Sequence, residues 1–357
     1  MAEQFHALTV AEIVPETAEA NSIRFDVPEA LKGAFGFRAG QHVTLRTNID
    51  GEEVRRNYSL CVAPDQGELK VTVKRIAGGA FSNWVADALK VGDTLDVMSP
   101  HGSFTVPFGA GQAKRYAAFA GGSGITPILS LIRTALASEP DSRFTLFYGN
   151  RDSSSVIFLE ALADLKDGFI GRFELYHFLS EEAGDVALFD GMLDRATCDA
   201  ALDALVEDVG AVDEWFICGP GPMMDAAEAA LLDRAVAPAR VHIERFTAGR
   251  PSAAIAAELA ELKSAASGLM IEVTLDGRTR RVTFDGANIL DSARAAGLPA
   301  PYACKAGVCA TCRARVTAGE VTMGARYGLT DEEVAAGFVL TCQSVPRGPG
   351  VAVDYDG

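Results

Sequence analysis

The sequence predicts three consecutive domains: an antiparallel β-barrel, a doubly wound α/β domain and a smaller α+β domain. Three observations predict this order. Short strands with period-two patterning fill residues 1–110, strands alternate with helices across residues 111–246, and a hairpin, a helix and a cysteine-rich loop follow from residue 268. The chain length of 357 residues agrees with this, since domains commonly span about 100–200 residues.

The first 110 residues alternate short β-rich runs with turns. His42–Arg46, Leu69–Lys74 and Thr94–Met98 each show alternating patterning, and Gly, Pro, Asp and Asn separate them. This pattern is typical of a small antiparallel barrel. One helix is expected from Ser82 to Leu89, with Ser82 as its N-cap.

Residues 111–246 change to a pattern in which strands and helices alternate. The predicted strands are Tyr116–Ala120, Phe144–Tyr148, Phe173–Leu179 and Glu214–Cys218, and the predicted helices are Thr126–Ala137, Val156–Leu165 and Pro222–Arg234. Such alternation predicts a parallel, doubly wound sheet.

Residues 247–267 are rich in Ala, Glu and Ser. Ala253–Ala266 has a helical composition but no broad apolar face, so we interpret the stretch as a partly helical interdomain linker. Two strands then flank Asp276-Gly277, which is a strong hairpin signal. A helix near Ile289–Ala296 leads into the cysteine loop.

Composition limits the classes of partner and of compartment. The net charge of −16 arises from 32 basic and 48 acidic residues, and no basic stripe predicts a nucleic-acid partner. No apolar run approaches the ~20 residues of a membrane span, and no signal peptide is recognisable. Cys61, Cys198 and Cys218 are scattered, as expected for reduced thiols in a cytoplasmic protein.

Four further cysteines form a motif near the C-terminus. Cys304, Cys309, Cys312 and Cys342 are spaced C-x4-C-x2-C-x29-C, the spacing of plant-type [2Fe–2S] sites. Three thiolates on one tight loop and a fourth from a distant segment can enclose two irons. A structural zinc site is the alternative, but zinc ligands usually come as two closely spaced pairs.

A short run at the end of one strand carries the groups that a flavin dinucleotide needs. Arg56 offers a cation for pyrophosphate, Tyr58 an aromatic face for the isoalloxazine, and Ser59 a hydroxyl near N5. Strand alternation places Arg56 and Tyr58 on one face and Ser59 on the other. Gly79 precedes the first helix and predicts an anion site with Ser82, although a simple turn and cap is the alternative.

Two glycine-containing segments follow strands of the predicted parallel sheet. Gly121–Gly124 leads into a helix with Pro127 in its first turn, and Cys218–Met224 ends a later strand. Ligands bind at such strand ends in doubly wound sheets. The alternative for Cys218 is a small packed core residue.

The segment after the second strand of this sheet bears on the choice of nucleotide. Arg151 and the three serines 153–155 favour the 2′-phosphate of NADPH, whereas Asp152 would suit a ribose 2′-hydroxyl. An Arg on an exposed loop without a ligand is the alternative.

The motifs Arg-x-Tyr-Ser, Gly-Gly-Ser-Gly-Ile-Thr-Pro and Cys-Gly-Pro-x-x-Met-Met resemble the ferredoxin–NADP reductase family. With a plant-type ferredoxin domain at the C-terminus, the whole chain resembles the reductases of multicomponent oxygenases. The resemblance implies an FAD-binding barrel at 1–110, an NAD(P)-binding domain at 111–246, a linker at 247–267 and a β-grasp-like ferredoxin domain at 268–357.

The resemblance also implies roles for individual residues. It implies a flavin motif at Arg56, Tyr58 and Ser59, and a segment that completes the FAD site at Val73, Arg75, Gly79 and Ser82. It implies nicotinamide-nucleotide positions at Gly122, Thr126, Cys218 and Met223. A segment that closes the reductase module near the flavin is implied at Glu244 and Phe246. Ser59, Cys218 and Glu244 are the expected catalytic residues. A solvated charge at a strand end is the alternative for Glu244.

The function implied is electron transfer from NADPH through FAD and the [2Fe–2S] cluster to a di-iron oxygenase. FAD is needed because it accepts a hydride and releases electrons one at a time. The alternatives are a reductase of another aromatic-ring or steroid hydroxylase, and a redox-sensing iron–sulfur protein.

Overall fold

The computed structural model describes residues 5–246 and 253–357. These form two compact units, one containing residues 5–54 and 58–244, the other residues 55–57, 245–246 and 253–357. The domain boundaries expected at 110 and 246 stay predictions. Within the described ranges no helix has the length and apolarity to cross a membrane.

Six strands and one helix build the first part of the chain. They are β1 (Phe5–Thr17), β2 (Ala20–Asp26), β3 (His42–Ile49), β4 (Glu52–Ser59), β5 (Leu69–Lys74), α1 (Ala80–Asp87) and β6 (Thr94–Met98). The strands form one antiparallel sheet in the spatial order β4-β3-β6-β1-β2-β5. A bridge between Leu60 and Val71 joins the two outer ends of the sheet, as the predicted barrel requires.

The strand predictions in this sheet are confirmed, and the apolar residues of β5 show why. Leu69, Val71 and Val73 alternate along the strand and are buried in the barrel core. The predicted cap of α1 is wrong. The helix begins at Ala80 after Gly79, and the Ser82 hydroxyl lies inside it, accepting from the Ile76 N–H at 3.1 Å.

The next part of the chain alternates strands and helices. The elements are β7 (Arg115–Gly121), α2 (Ile125–Ser138), β8 (Arg143–Asn150), α3 (Leu159–Gly168), β9 (Phe173–Leu179), α4 (Arg195–Leu205), β10 (Glu214–Cys218), α5 (Gly221–Asp233) and β11 (Val241–Glu244). The sheet is parallel, in the order β11-β10-β7-β8-β9. The chain reverses direction across the sheet between β7 and β10, so the carboxyl ends of these two strands flank the crevice where ligands bind in such folds.

Helices cover both faces of this sheet, which confirms the doubly wound prediction. Ala118 and Leu146 share one core with α2 and α3, while Phe147 and Trp215 share another with α4 and α5. Three details differ from the prediction: α3 begins at Leu159, since Phe158 before it has a left-handed φ of 64°, α4 was not anticipated, and β11 was not among the predicted strands.

The C-terminal part is a mixed α+β structure. Its elements are α6 (Ala253–Ala266), β12 (Met270–Leu275), β13 (Arg278–Thr283), α7 (Ile289–Ala295), β14 (Arg313–Ala318), β15 (Val321–Met323), α8 (Asp331–Ala335), β16 (Phe338–Leu340), β17 (Ser344–Pro346) and β18 (Ala352–Asp354). The main sheet has the order β13-β12-β18-β14-β16, and β15 pairs with β17. The predicted hairpin turn is confirmed, with φ of 50° at Asp276 and 69° at Gly277.

The helix expected in the linker is present as α6. The expectation that it lacks an apolar face was incomplete, because Leu259 and Leu262 pack against the C-terminal core and Ala266 is buried in it. Glu258 also forms an ion pair with Arg347 at 2.8 Å. Residues 247–252 of the predicted linker lie outside the described part of the chain.

Candidate functional site

Two of the three expected catalytic side chains are in direct contact. The Ser59 hydroxyl, at the end of β4, donates to Glu244 Oε2 at 3.1 Å, although 185 positions separate the residues. Ser59 is 3% exposed, and the Glu244 side chain at the end of β11 is 13% exposed. Glu244 is therefore a largely buried carboxylate held by a hydroxyl, and not a solvated charge at a strand end.

A histidine pair, of which His42 is buried and His101 half-buried, lies beside this carboxylate. His42 Nδ1 is 3.5 Å from Glu244 Oε1, and the rings of His42 and His101 meet edge to face at 4.2 Å between centroids. Burial, with the neighbouring His42, lowers the pKa of His101 to about 3, so this ring is neutral at physiological pH. Sequence reasoning missed both histidines, because no local motif marks them.

Cys218, the third expected catalytic residue, lies beside Glu244 in the strand register of β10 and β11. Its thiol is fully buried, and burial raises its pKa well above the usual value, with the Glu244 charge adding to the effect. The thiol is thus a neutral group at physiological pH. Cys218 is therefore a packed core residue, as one interpretation of the sequence expects, and it also lies beside Glu244.

The two glycine loops lie against each other at the carboxyl ends of β7 and β10. A Cβ at Gly124 would collide with the Cys218 carbonyl, so this glycine is required by backbone approach. Met223 lies at the same contact and is 8% exposed. The loops thus form one continuous backbone surface at the crevice.

Gly122 lies in the loop after β7, and among the described residues a Cβ built on it would have the Lys74 ammonium as its nearest neighbour, at 3.7 Å. Tyr148 supports the loop from below by donating to the Gly122 carbonyl at 3.0 Å. The Thr126 hydroxyl donates to the Ser123 carbonyl at 3.0 Å, so it holds the loop at the start of α2. Lys74 is a cation at this loop that the sequence did not single out.

The residues expected around the flavin differ in how accessible their side chains are. Arg56 is exposed and Ser59 buried on opposite faces of β4, as the alternation predicts, and Tyr58 is half-buried with its ring 5.5 Å from that of Phe81. Val73 points into the barrel core, so only its backbone can face a ligand.

The Arg75 guanidinium is already engaged by protein groups. It forms a two-point ion pair with the Asp87 carboxylate, at 2.9 and 2.7 Å, and donates to Asn83 at 2.8 Å. Gly79 permits the close approach of the Ser82 side chain, since a Cβ there would lie 2.6 Å from its hydroxyl oxygen. These contacts give Arg75, Gly79 and Ser82 a local role in seating α1.

The segment after β8 differs from a free 2′-phosphate site. Arg151 Nη2 lies 3.0 Å from Glu19 Oε2, and the Ser153 N–H donates to Glu182 at 2.7 Å. The Asp152 carboxylate accepts from the Ser155 N–H and the Ser154 hydroxyl, which lowers its pKa. Asp152 therefore caps its own turn, whereas Arg151 is paired with the Glu19 carboxylate and the Ser153 N–H with the Glu182 carboxylate.

Phe246 follows β11 and is 40% exposed.

The four cysteines of the C-terminal motif converge in two pairs. Hydrogen bonding from Cys304 lowers the pKa of Cys309, and hydrogen bonding from Cys312 lowers that of Cys342. The Thr341 hydroxyl, donating to the Cys312 carbonyl at 2.9 Å, ties the distant fourth cysteine to the loop.

The loop around the cysteines has the backbone needed to wrap a compact group. Lys305, Gly307 and Ala310 all have left-handed φ values, of 51°, 76° and 54°. The Ala306 N–H points at Cys304 Sγ at 3.3 Å, and the Cys304 N–H at Cys309 Sγ at 3.5 Å. Four thiols with backbone N–H groups directed at sulfur fit an iron–sulfur cluster, whose sulfurs are stabilised by such contacts.

Three family models match successive parts of the chain. The oxidoreductase FAD-binding domain matches residues 7–106, the oxidoreductase NAD-binding domain residues 119–229, and the 2Fe-2S iron-sulfur cluster binding domain residues 273–347. The last match favours the iron–sulfur cluster over the zinc alternative.

Relatives align along the whole chain. One component of the 1,2-phenylacetyl-CoA epoxidase of Escherichia coli K12 is 44% identical over 354 residues, covering 99% of this chain and 98% of that protein. The ferredoxin reductase component of 3-ketosteroid-9-alpha-monooxygenase from Rhodococcus rhodochrous is 37% identical, covering 98% and 96%.

Among solved structures, phthalate dioxygenase reductase is similar over 98% of both chains, with a TM-score of 0.59 and 22% identity, which supports the fold. The family matches show sites for FAD, a nicotinamide nucleotide and a [2Fe–2S] cluster on one chain. The chain therefore belongs to the family of NAD(P)H-dependent flavin and iron–sulfur reductases that serve as reductase components of multicomponent oxygenases.

Proposed function

We propose that this chain is the reductase component of a phenylacetyl-CoA epoxidase and passes electrons from NADPH to a di-iron oxygenase in the cytoplasm. The observation that carries the proposal is the 44% identity, over nearly both full lengths, to a component of such an epoxidase. The relative from a ketosteroid monooxygenase, at 37%, supports a second candidate acceptor, the oxygenase of a steroid hydroxylase.

The purified reductase should be mixed in turn with a phenylacetyl-CoA epoxidase oxygenase and a 3-ketosteroid oxygenase, each with its own substrate. Product formation driven by NADPH only with the epoxidase is the expected result. Product only with the steroid oxygenase would assign the chain to the second candidate. Metal analysis of the productive oxygenase tests whether the acceptor holds two irons.

Ser59, Glu244 and Cys218 are proposed to act at the flavin. A bound FAD would supply the conversion of a two-electron hydride into single electrons, and a bound [2Fe–2S] cluster would supply one-electron transfer. Ser59 orients the buried Glu244 carboxylate through their 3.1 Å hydrogen bond, and Glu244 positions the nicotinamide. Cys218 packs as a neutral thiol at the end of β10, beside the loop where the nucleotide would lie.

The remaining contacts of FAD are proposed from the barrel. The exposed Arg56 supplies charge for the pyrophosphate, and the half-buried Tyr58 supplies an aromatic face. Val73, Gly79 and Ser82 contribute backbone and local shape. Arg75 is proposed to act by fixing α1 through Asp87.

The nicotinamide nucleotide is proposed to lie along Gly122, Thr126 and Met223, with Phe246 closing the module. NADPH is proposed as the preferred donor, because Arg151 is a cation at the strand end where the 2′-phosphate would lie. Arg151→Ala should weaken NADPH more than NADH, and equal kcat/KM for the two nucleotides in the unmodified protein would contradict the preference.

Cys304, Cys309, Cys312 and Cys342 are proposed as the cluster ligands. Their convergence in two pairs and the N–H groups aimed at sulfur support this assignment. Three of these cysteines lie on one loop, and the Thr341 hydroxyl, which donates to the Cys312 carbonyl at 2.9 Å, ties the segment that carries Cys342 to that loop.

A further inference from the structure

Glu19 connects the barrel to the nucleotide loops within one compact unit. It occupies the turn between β1 and β2, and its Oε2 lies 3.0 Å from Arg151 Nη2 and 3.9 Å from Lys74 Nζ. No sequence motif marks Glu19, and 132 positions separate it from Arg151.

The turn holds Glu19 firmly in place. Its carbonyl accepts from the Arg75 N–H at 2.6 Å, and its own N–H donates to the Thr17 hydroxyl at 3.2 Å. The Arg151 backbone is fixed in turn, since its carbonyl accepts from the Glu181 N–H at 2.7 Å. The ion pair therefore joins two anchored segments.

We propose that Glu19 is a specificity-determining residue that competes with the nucleotide 2′-phosphate for Arg151. This inference rests on the proposed role of Arg151 in binding NADPH. A 2′-phosphate carries more negative charge than the Glu19 carboxylate and therefore displaces Glu19 from Arg151. To do so, the phosphate must break the ion pair between Glu19 and Arg151, and it is repelled by the Glu19 carboxylate that remains nearby. NADH lacks the 2′-phosphate, so its binding neither breaks the ion pair nor suffers the repulsion. Glu19 therefore reduces the ratio by which the protein prefers NADPH over NADH.

The exposure of the pair sets the size of the effect. The Arg151 and Glu19 side chains are 51% and 44% exposed, and exposed ion pairs contribute modestly. Loss of the pair and of the repulsion together should change affinity about three- to tenfold. The change should shrink as salt is added, because exposed charges are screened.

Lys74 provides an internal reference for the measurement. It also neighbours Glu19, but it lies at the Gly122 loop, where a pyrophosphate common to both nucleotides would bind. Release of Lys74 should affect ligands with and without the 2′-phosphate alike. The ratio of the two affinities therefore reports on Arg151.

The test measures binding of 2′,5′-ADP and 5′-AMP to the FAD- and cluster-containing protein by calorimetry. Glu19→Gln should tighten 2′,5′-ADP about three- to tenfold relative to 5′-AMP. Glu12→Gln is the matched control, since Glu12 is a similarly exposed carboxylate of β1 paired with Arg24 at 3.3 Å.

The double variant Glu19→Gln with Arg151→Ala separates the outcomes. The relative tightening should vanish in that background, and persistence there would overturn the inference. If Arg151→Ala selectively weakens 2′,5′-ADP but Glu19→Gln matches Glu12→Gln, this inference fails and the NADPH proposal stands. If Arg151→Ala leaves the ratio of the affinities for 2′,5′-ADP and 5′-AMP unchanged, the NADPH proposal fails, and this inference fails as well because it depends on that proposal.

Discussion

Replacing Ser59 with alanine tests the contact at the centre of the proposed flavin site. The Ser59 hydroxyl is buried and donates to Glu244 Oε2 at 3.1 Å. Without it, a largely buried carboxylate loses a donor and is held less firmly in the position that it has in the structure. We therefore expect slower hydride transfer, with FAD still bound.

The expected magnitude follows from the type of hydrogen bond. A hydrogen bond to a charged group contributes about 1.5–3 kcal/mol. His42 also lies 3.5 Å from Glu244 and still steadies it after the substitution, so the lower half of that range applies. Converted to a rate, this gives a loss of about tenfold to fortyfold.

The assay is anaerobic stopped-flow reduction of the flavin by NADPH, which isolates hydride transfer from later electron transfer. Ser59→Thr keeps a hydroxyl and should retain most of the rate. Ser130→Ala is the control, because Ser130 is also buried but donates to the Val62 carbonyl at 2.6 Å. A Ser59→Ala protein that retains FAD and reduces it at the unmodified rate would refute the reasoning.

Three further predictions concern other parts of the molecule. Cys342→Ser should lose bound iron and the cluster absorbance, while Cys198→Ser, in the core of the nucleotide domain, should keep both; full iron occupancy in the first variant would reject the ligand assignment. His101 has a pKa of about 3 when folded, against 6.5 for an unperturbed histidine, so the unfolded state binds more protons between these values and stability falls as pH is lowered. From pH 7 to 5 the loss from this residue should be about 2 kcal/mol in urea unfolding, and His101→Asn should show a smaller loss. A fragment of residues 1–249 should keep FAD and reduce a two-electron dye, and a fragment of residues 253–357 should bind a cluster without oxidising NADPH; oxygenase turnover by the first fragment at the rate of the intact chain would disprove the flavin-to-cluster route.

Features encoded by local spacing could be predicted from the sequence. Strands such as β5 follow from alternating burial, and the turn at Asp276 and Gly277 follows from the φ values that these residues tolerate. The cysteine spacing indicated the cluster, since a tight loop fixes three thiols within a few residues. Each of these signals depends on neighbours along the chain.

The tertiary structure decided which distant side chains meet. The strand order and register bring Ser59 to Glu244, and no periodicity in either segment predicts that contact. The same holds for Glu19, which lies in a turn of the antiparallel sheet and forms an ion pair with Arg151 at the end of a strand of the parallel sheet. Packing depends on the tertiary structure in the same way. The apolar side of α6 is narrow, and Leu259 is partly buried only because the C-terminal core lies against the helix. Sequence patterning determined the elements and the cofactor motifs, whereas the partners of each charged group depended on how those elements pack.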